Sequence, residues 1–330
     1  MTPRERIYAV LQHKPTDCVP RGEIWIDALW HELGFESQTE AYVKTGQDWI
    51  LLPHNFPESC NAWKTGVDEW GREWKDGDYV DGVIDNEEDL RQYSPDLDYA
   101  EQLFKADTIE EVRRRYPDHC LMYGTHIGPF TAAYMGMGFE RFFLRIVDDP
   151  NFVRSLLEER TEWCIAQYQT AIRLGAEVLV LGEDAAHKDH PMISLRMWRE
   201  LVLPYHRRIV DALDAPLIWH CDGNIAPLLP AAVEAGFVGV HGLEPPTGID
   251  LKAVKRDYGK SLVLVGNIDI NVLLENDLPA VRREVDRCLA EGTPGGGYML
   301  ATSNSIFHGL DPDSVAESFR YQQERVCMTR

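Results

Sequence analysis

The sequence predicts a single (β/α)8 barrel, residues 1–330, carrying an inserted β-hairpin. Three observations predict it: eight short apolar runs of strand character, longer amphipathic helical stretches between them, and a chain of 330 residues with material for a sizeable core. The runs are 19–26, 48–52, 120–125, 177–181, 217–220, 237–243, 262–265 and 298–301. Each of the last five is β-rich and gives way to polar or glycine residues and then to a helix, the grammar of βα units. Before the first run a charged helix begins at Pro3. Between the second and third runs, residues 63–79 alternate aromatic and charged residues around glycines. That pattern predicts a hairpin around residues 60–82 rather than a βα unit. Its tryptophans, Trp63, Trp70 and Trp74, read either as a satellite hydrophobic cluster under a long loop or as the wall of a ligand pocket. Over 151–174 the apolar residues Val153, Leu156, Leu157, Ile165, Tyr168 and Ile172 recur at helical spacing, and Asp149 before Pro150 marks the start.

Composition narrows the function classes. Lys and Arg number 33 against 54 Asp and Glu, a net charge of −21. Nucleic-acid binding needs a basic stripe that this chain lacks, so no such partner is expected. No apolar run approaches the roughly 20 residues of a membrane span, and the charged N-terminus has no signal-peptide core. Seven cysteines, an odd number without short-spaced pairs, do not read as a disulfide framework. A cytoplasmic enzyme is the expectation.

In such a barrel, chemistry sits where strands end and loops begin. Those positions are polar throughout. They hold Glu23 and Asp27, Thr125 and His126, Glu183 and Asp184, and His220-Cys221-Asp222-Gly223-Asn224. Further on come His241 and Glu244, Asn267 and Asp269, and Thr302-Ser303-Asn304-Ser305. His220 and Asp222 share one face of their strand by alternation, while Cys221 points away. With Glu183 or Glu244 they suit zinc, which takes N and O ligands and keeps an open position in catalytic sites. A metal-free, hydrogen-bonded His–Asp pair fits the same spacing. His187 and His190 lie in a polar loop and read as solvated. Familiar alternatives are missing: there is no Walker-type phosphate loop and no Gly-x-Ser-x-Gly elbow. Gly295-Gly296-Gly297 precedes a strand and reads as a tight turn. The cysteines at 18, 60, 120, 164, 288 and 327 show no partner pattern for nucleophilic catalysis.

Several segments resemble the uroporphyrinogen-decarboxylase-like proteins. They are Pro3-Arg4-Glu5-Arg6 with Asp17-Cys18-Val19-Pro20, Leu243-Glu244-Pro245-Pro246-Thr247-Gly248-Ile249-Asp250-Leu251, Val265-Gly266-Asn267-Ile268-Asp269, and the stretch from Gly295 to Ile306. The resemblance covers essentially the whole chain and implies a (β/α)8, or TIM, barrel. True decarboxylases of that family carry an Arg-Gln-Ala-Gly-Arg segment near the N-terminus. Here that stretch is the acidic, aromatic Val19-Pro20-Arg21-Gly22-Glu23-Ile24-Trp25-Ile26-Asp27, which disfavours a polyanionic porphyrinogen. The family's other branch holds corrinoid-dependent methyltransferases, some of which serve coenzyme M through zinc on His-x-Cys and a distant Cys. His220 matches that histidine, but Asp222 replaces the first cysteine, and Ser303 and Asn304 stand near the second. An oxygen-rich site suits an ether oxygen better than a thiol.

The resemblance therefore implies the methyltransferase of an O-demethylase system, moving methyl from a small methoxylated compound, an aryl methyl ether, to cobalt(I) on a separate corrinoid protein. Glu183, Asp184, His220 and Asp222 are the expected catalytic residues. Zinc is expected on His220 with Glu183, Asp222 or Glu244, and one of these carboxylates is the alternative general acid. Glu23, Trp25, His126, Asn267, Tyr298, Ser303 and Asn304 are the expected substrate contacts. Beside this reading stand a decarboxylase, a methylcorrinoid:coenzyme M methyltransferase and a non-catalytic tetrapyrrole or corrinoid binder. A homodimer is compatible with all of them.

Overall fold

A computed structural model describes residues 1–26, 29–54, 65–94, 96–125 and 127–327. Its strands, in chain order, are β1 (Trp49–Leu51), β2 (Gly66–Val67), β3 (Arg72–Lys75), β4 (Asp78–Gly82), β5 (Cys120–Thr125), β6 (Val178–Gly182), β7 (Leu217–His220), β8 (Gly239–His241), β9 (Val263–Val265) and β10 (Tyr298–Met299). Seven of them form one parallel sheet in the order β1-β5-β6-β7-β8-β9-β10. Helices return the chain between neighbours on the outer face, and the inner face is buried in the barrel interior. The strands accordingly read as nearly continuous apolar runs, and β5, β6 and β7 are buried at every position.

The first expected run, 19–26, is not a regular strand, yet it does a strand's work. Gly22 N–H donates to the Leu300 carbonyl (3.0 Å) and Leu300 N–H to the Pro20 carbonyl (2.8 Å). On the other side Asp48 N–H donates to the Arg21 carbonyl (2.8 Å). The segment thus lies between β10 and β1 and closes the curled sheet into a TIM-barrel-like fold. Regular pairing fails for local reasons. Pro20 has no N–H to give, and the Arg21 N–H is taken by the Asp48 carboxylate at 2.8 Å. Gly22 passes so close to its neighbours that a Cβ there would lie 2.4 Å from Met299 Cε and 2.8 Å from the Trp49 ring.

The insertion is larger than the expected hairpin: β2, β3 and β4 form a three-stranded antiparallel sheet with a register shift at Glu73/Trp74. Asp68 organises it, accepting from the Trp70 and Arg72 N–H groups, from Arg72 Nε and from Trp74 Nε1 at 2.8–3.0 Å. Trp70 is buried 5.1 Å from Trp163, as in a satellite cluster. The two also line a cleft with Arg72, Thr125, Arg160 and Gln167. Trp63 and Cys60 lie outside the described residues. The helix expected over 151–174 runs Pro150–Leu174, with Asp149 capping the Phe152 N–H and Gly175 ending it in the left-handed region.

The cysteine reading needs one correction. Cys18 and Cys327 form a disulfide across 309 residues of sequence. Barrel closure brings the two ends together, and no spacing rule registers a pair so far apart. Cys120, Cys164, Cys221 and Cys288 are free and buried. Among the described residues no helix is long and apolar enough to cross a membrane.

Candidate active site

The site forms where β6, β7, β8 and the segment after β10 end at one rim. Register sets the positions: Gly182 pairs with His220, and His220 with His241. Ligand atoms of Asp184, His220 and Asp222 all lie within 4.8 Å of one another. Burial lowers His220 to about 3. It raises Asp222 to about 6 against the pull of Asn304. Asp184 rises to about 7, through burial first and then the charges of Asp222 and Glu183. Burial thus works against the charged form of all three groups.

Behind His220 stands a second imidazole. His220 Nδ1 lies 2.7 Å from His241 Nδ1, and His241 Nε2 lies 2.9 Å from the Thr302 carbonyl. His220 Nε2 faces Asp222 Oδ1 at 3.5 Å, and that buried oxygen accepts no hydrogen bond among the described residues. The edge of Trp25 closes one side, its ring 4.8 Å from that of His220. Asn304 Nδ2 donates to Asp222 Oδ2 at 2.9 Å and reaches Glu244 Oε1 at 3.5 Å, while the Gly223 N–H holds Glu244 Oε2 at 2.7 Å. Burial, then Asp222, push the Glu244 carboxyl up.

Other expected residues are placed differently. Glu183 is fully buried but turned toward the Pro129–Met137 helix, accepting from the Phe130 and Thr131 N–H groups (2.9 and 3.1 Å) and from His206 Nε2 (3.0 Å). Its oxygens satisfy donors that a helix start leaves over, and Gly128 leaves room for them: a Cβ there would lie 2.4 Å from Glu183 Oε2. Asp184, not Glu183, joins the converging trio. Asn267 also turns outward, donating to the Leu243 carbonyl (2.7 Å) and accepting from Arg287 (3.1 Å). Tyr298, at the start of its strand, lines a groove at the opposite rim with Val10, Lys14 and Pro20. Neither side chain joins the converging trio. Ser303 is buried near the site, its hydroxyl without a hydrogen-bond partner among the described residues. His126 and Asp27 lie outside the described residues.

Cys221 Sγ accepts from the Ala185 N–H (3.2 Å) and contacts the Asp222 carbonyl, and it is not part of the converging trio. His187 and His190 are exposed. Glu23 is fully buried, its carboxyl accepting from the Thr302 N–H and hydroxyl at 2.7–3.2 Å. Its link to the site runs through Thr302, whose carbonyl meets His241. His241 and Thr302 were visible in the sequence only as strand-end residues without a role. His206, inside a helix, gave no signal.

Residues 36–324 match the uroporphyrinogen decarboxylase (URO-D) family, and the chain belongs to it. It is 23% identical to the methylcobamide:CoM methyltransferase MtbA of Methanosarcina mazei, over 97% of this chain and 99% of that one. A methylated-thiol–coenzyme M methyltransferase of the same organism is 26% identical over 66% of this chain, and the match spans only 56% of that relative's length. A uroporphyrinogen decarboxylase of Pseudomonas paraeruginosa is 25% identical over 67% of this chain and 63% of its own. A solved methyltransferase from Methanosarcina mazei shares the fold with a TM-score of 0.79 at 20% identity, covering 98% of this chain and 99% of that one.

Proposed function

We propose that this chain is a corrinoid-dependent methyltransferase that demethylates a small methoxylated compound, an aryl methyl ether, onto the cobalt(I) of a separate corrinoid protein. One observation carries the reading: two carboxylates and an imidazole converge within 4.8 Å with no thiol among them. Its methyltransferase part has the support of the full-length likeness to MtbA.

The donor set fits a divalent zinc. Asp222 Oδ1 is buried without a hydrogen bond and faces His220 Nε2 at a distance too long for a good one. A cation between them would satisfy both. Asp184, His220 and Asp222 would hold it, and when bound it supplies Lewis acidity to the ether oxygen. An alkoxide or phenoxide is a poor leaving group, and each ~1.4 kcal/mol taken off the barrier is tenfold in rate.

The chain's own residues do the rest. Trp25 provides an apolar wall beside His220, and Asn304 aligns Asp222 with Glu244. Glu244, outside the converging trio, is the carboxyl left to hold a proton for the departing oxygen. Cobalt(I) is the nucleophile, so the protein needs none.

A methylcobamide:coenzyme M reaction is the second reading, favoured by the likeness to MtbA. The oxygen-rich site stands against it, as does Cys221, whose thiol burial pushes well above its ordinary value. Reduced corrinoid protein and a panel of methoxyarenes decide between them. Loss of the cobalt(I) absorbance with an ether, abolished by chelation, is the expected result. No loss with any ether, with methyl transfer to coenzyme M or CO2 release from a porphyrinogen instead, overturns it.

A further inference from the structure

We infer that His241, braced by the Thr302 carbonyl, is a positioning residue that holds His220 in the tautomer whose Nε2 lone pair faces Asp184 and Asp222. Protons can be counted along one line of contacts. The Thr302 carbonyl can only accept, so the 2.9 Å contact places a hydrogen on His241 Nε2. His241 is fully buried and His220 nearly so, 0% and 6% exposed, which favours neutral rings with one N–H each. His241 Nδ1 is then an acceptor. The 2.7 Å contact between the two Nδ1 atoms requires one hydrogen between them, and it belongs to His220. His220 Nε2 is left bare, on the side where Asp222 Oδ1 lies at 3.5 Å.

The opposite assignment fails at the far end. Were Nε2 of His220 protonated, His241 would have to donate from Nδ1. Its own Nε2 would then press a lone pair against the Thr302 carbonyl, or the ring would carry a buried charge. Glu23 steadies that carbonyl from behind, since its carboxyl takes the Thr302 N–H and hydroxyl. Such partners of ligating histidines fix tautomer and ring orientation. The consequence for a metal rests on the zinc reading above, whereas the tautomer itself does not.

The test uses the full chain, metal-free, with 15N-labelled histidine. Long-range proton–nitrogen correlation at neutral pH is expected to show His220 protonated at Nδ1 alone. His241→Phe removes the acceptor but keeps a ring. It should move the His220 proton toward Nε2 and weaken zinc binding about 10–100-fold by competition titration. His241→Asn, whose carbonyl oxygen stands near the lost Nδ1, should restore the Nδ1 proton and most of the affinity. The inference is overturned if wild-type His220 carries its proton on Nε2 or on both nitrogens. It is equally overturned if the Phe variant, with zinc bound by the wild type, changes neither tautomer nor affinity. Should the wild type bind no zinc, the metal reading falls, and the nitrogen shifts alone decide the role of His241. Should the Phe variant not fold, the wild-type and Asn spectra still decide it.

Discussion

At the scale of single residues, two neighbouring acids at the end of β6 show how far sequence reasoning carries. Alternation along β7 anticipated that His220 and Asp222 converge, and they do, although the strand itself ends at His220. Alternation could not assign Glu183 and Asp184, because which of them faces the barrel depends on a helix start more than fifty residues upstream in contact with both. The Pro129–Met137 helix start takes Glu183, and Asp184 is left to the site. Glu183→Gln should therefore lower stability by about 2 kcal/mol, the cost of spoiling buried charge-assisted hydrogen bonds, while leaving metal stoichiometry intact. Urea denaturation and metal analysis of the same preparation check this, and loss of metal without loss of stability refutes it. Glu23 makes a second prediction. Burial raises its carboxyl from an ordinary 4.5 to about 7, against the Thr302 hydrogen bonds. Between those values the folded protein holds a proton that the unfolded chain has released. The stability this group contributes is thus fully present below 4.5 and lost as pH rises through 7. At about 1.4 kcal/mol per pH unit, the wild type should lose roughly 2–3 kcal/mol relative to Glu23→Gln between pH 5 and pH 8. Equal denaturation free-energy differences at the two pH values would show that Glu23 titrates normally.

At the scale of elements, the parallel strands were legible because burial on both faces writes them as apolar runs, and the long helix because its start signal and periodicity agree. The insertion was legible only in kind. Its aromatic alternation announced antiparallel pairing, but β2 has just two residues, both exposed, too few to leave a pattern. What holds the element together is a hydrogen-bond hub rather than a core. Asp68 is buried and binds four donors, among them Arg72 Nε at 2.8 Å with both side chains nearly inaccessible. Removing one partner of a buried pair strands the other, at about 3–5 kcal/mol. Asp68→Ala should release the insertion from the barrel and expose Trp70, now packed on Trp163. A red-shifted tryptophan emission with the parallel barrel's far-ultraviolet dichroism retained is the expected signature. Global unfolding instead would show that the insertion is integral to the barrel's stability.

At the scale of the whole molecule, closure is the feature that local patterns could not specify. The segment 19–26 reads as a strand by composition, and it occupies a strand's place, but Pro20 has no N–H to give and the Arg21 N–H goes to the Asp48 carboxylate rather than to a neighbouring carbonyl. The seam is reinforced at the rim opposite the site. There Val19 N–H donates to the Val326 carbonyl (3.0 Å), and Cys18 is joined to Cys327. A link enclosing 309 residues restricts the unfolded chain more than a short one does, so in the chain-entropy account its loss costs up to about 6 kcal/mol, with 2–5 typical of native disulfides. Cys18→Ser, or a reductant acting on the wild type, should lower the denaturant midpoint accordingly. Metal affinity should not change, because the bond and the site lie at opposite ends of the barrel. Two outcomes would sink this account: alkylation of both thiols in the native, unreduced protein, or a midpoint that reductant leaves where it was.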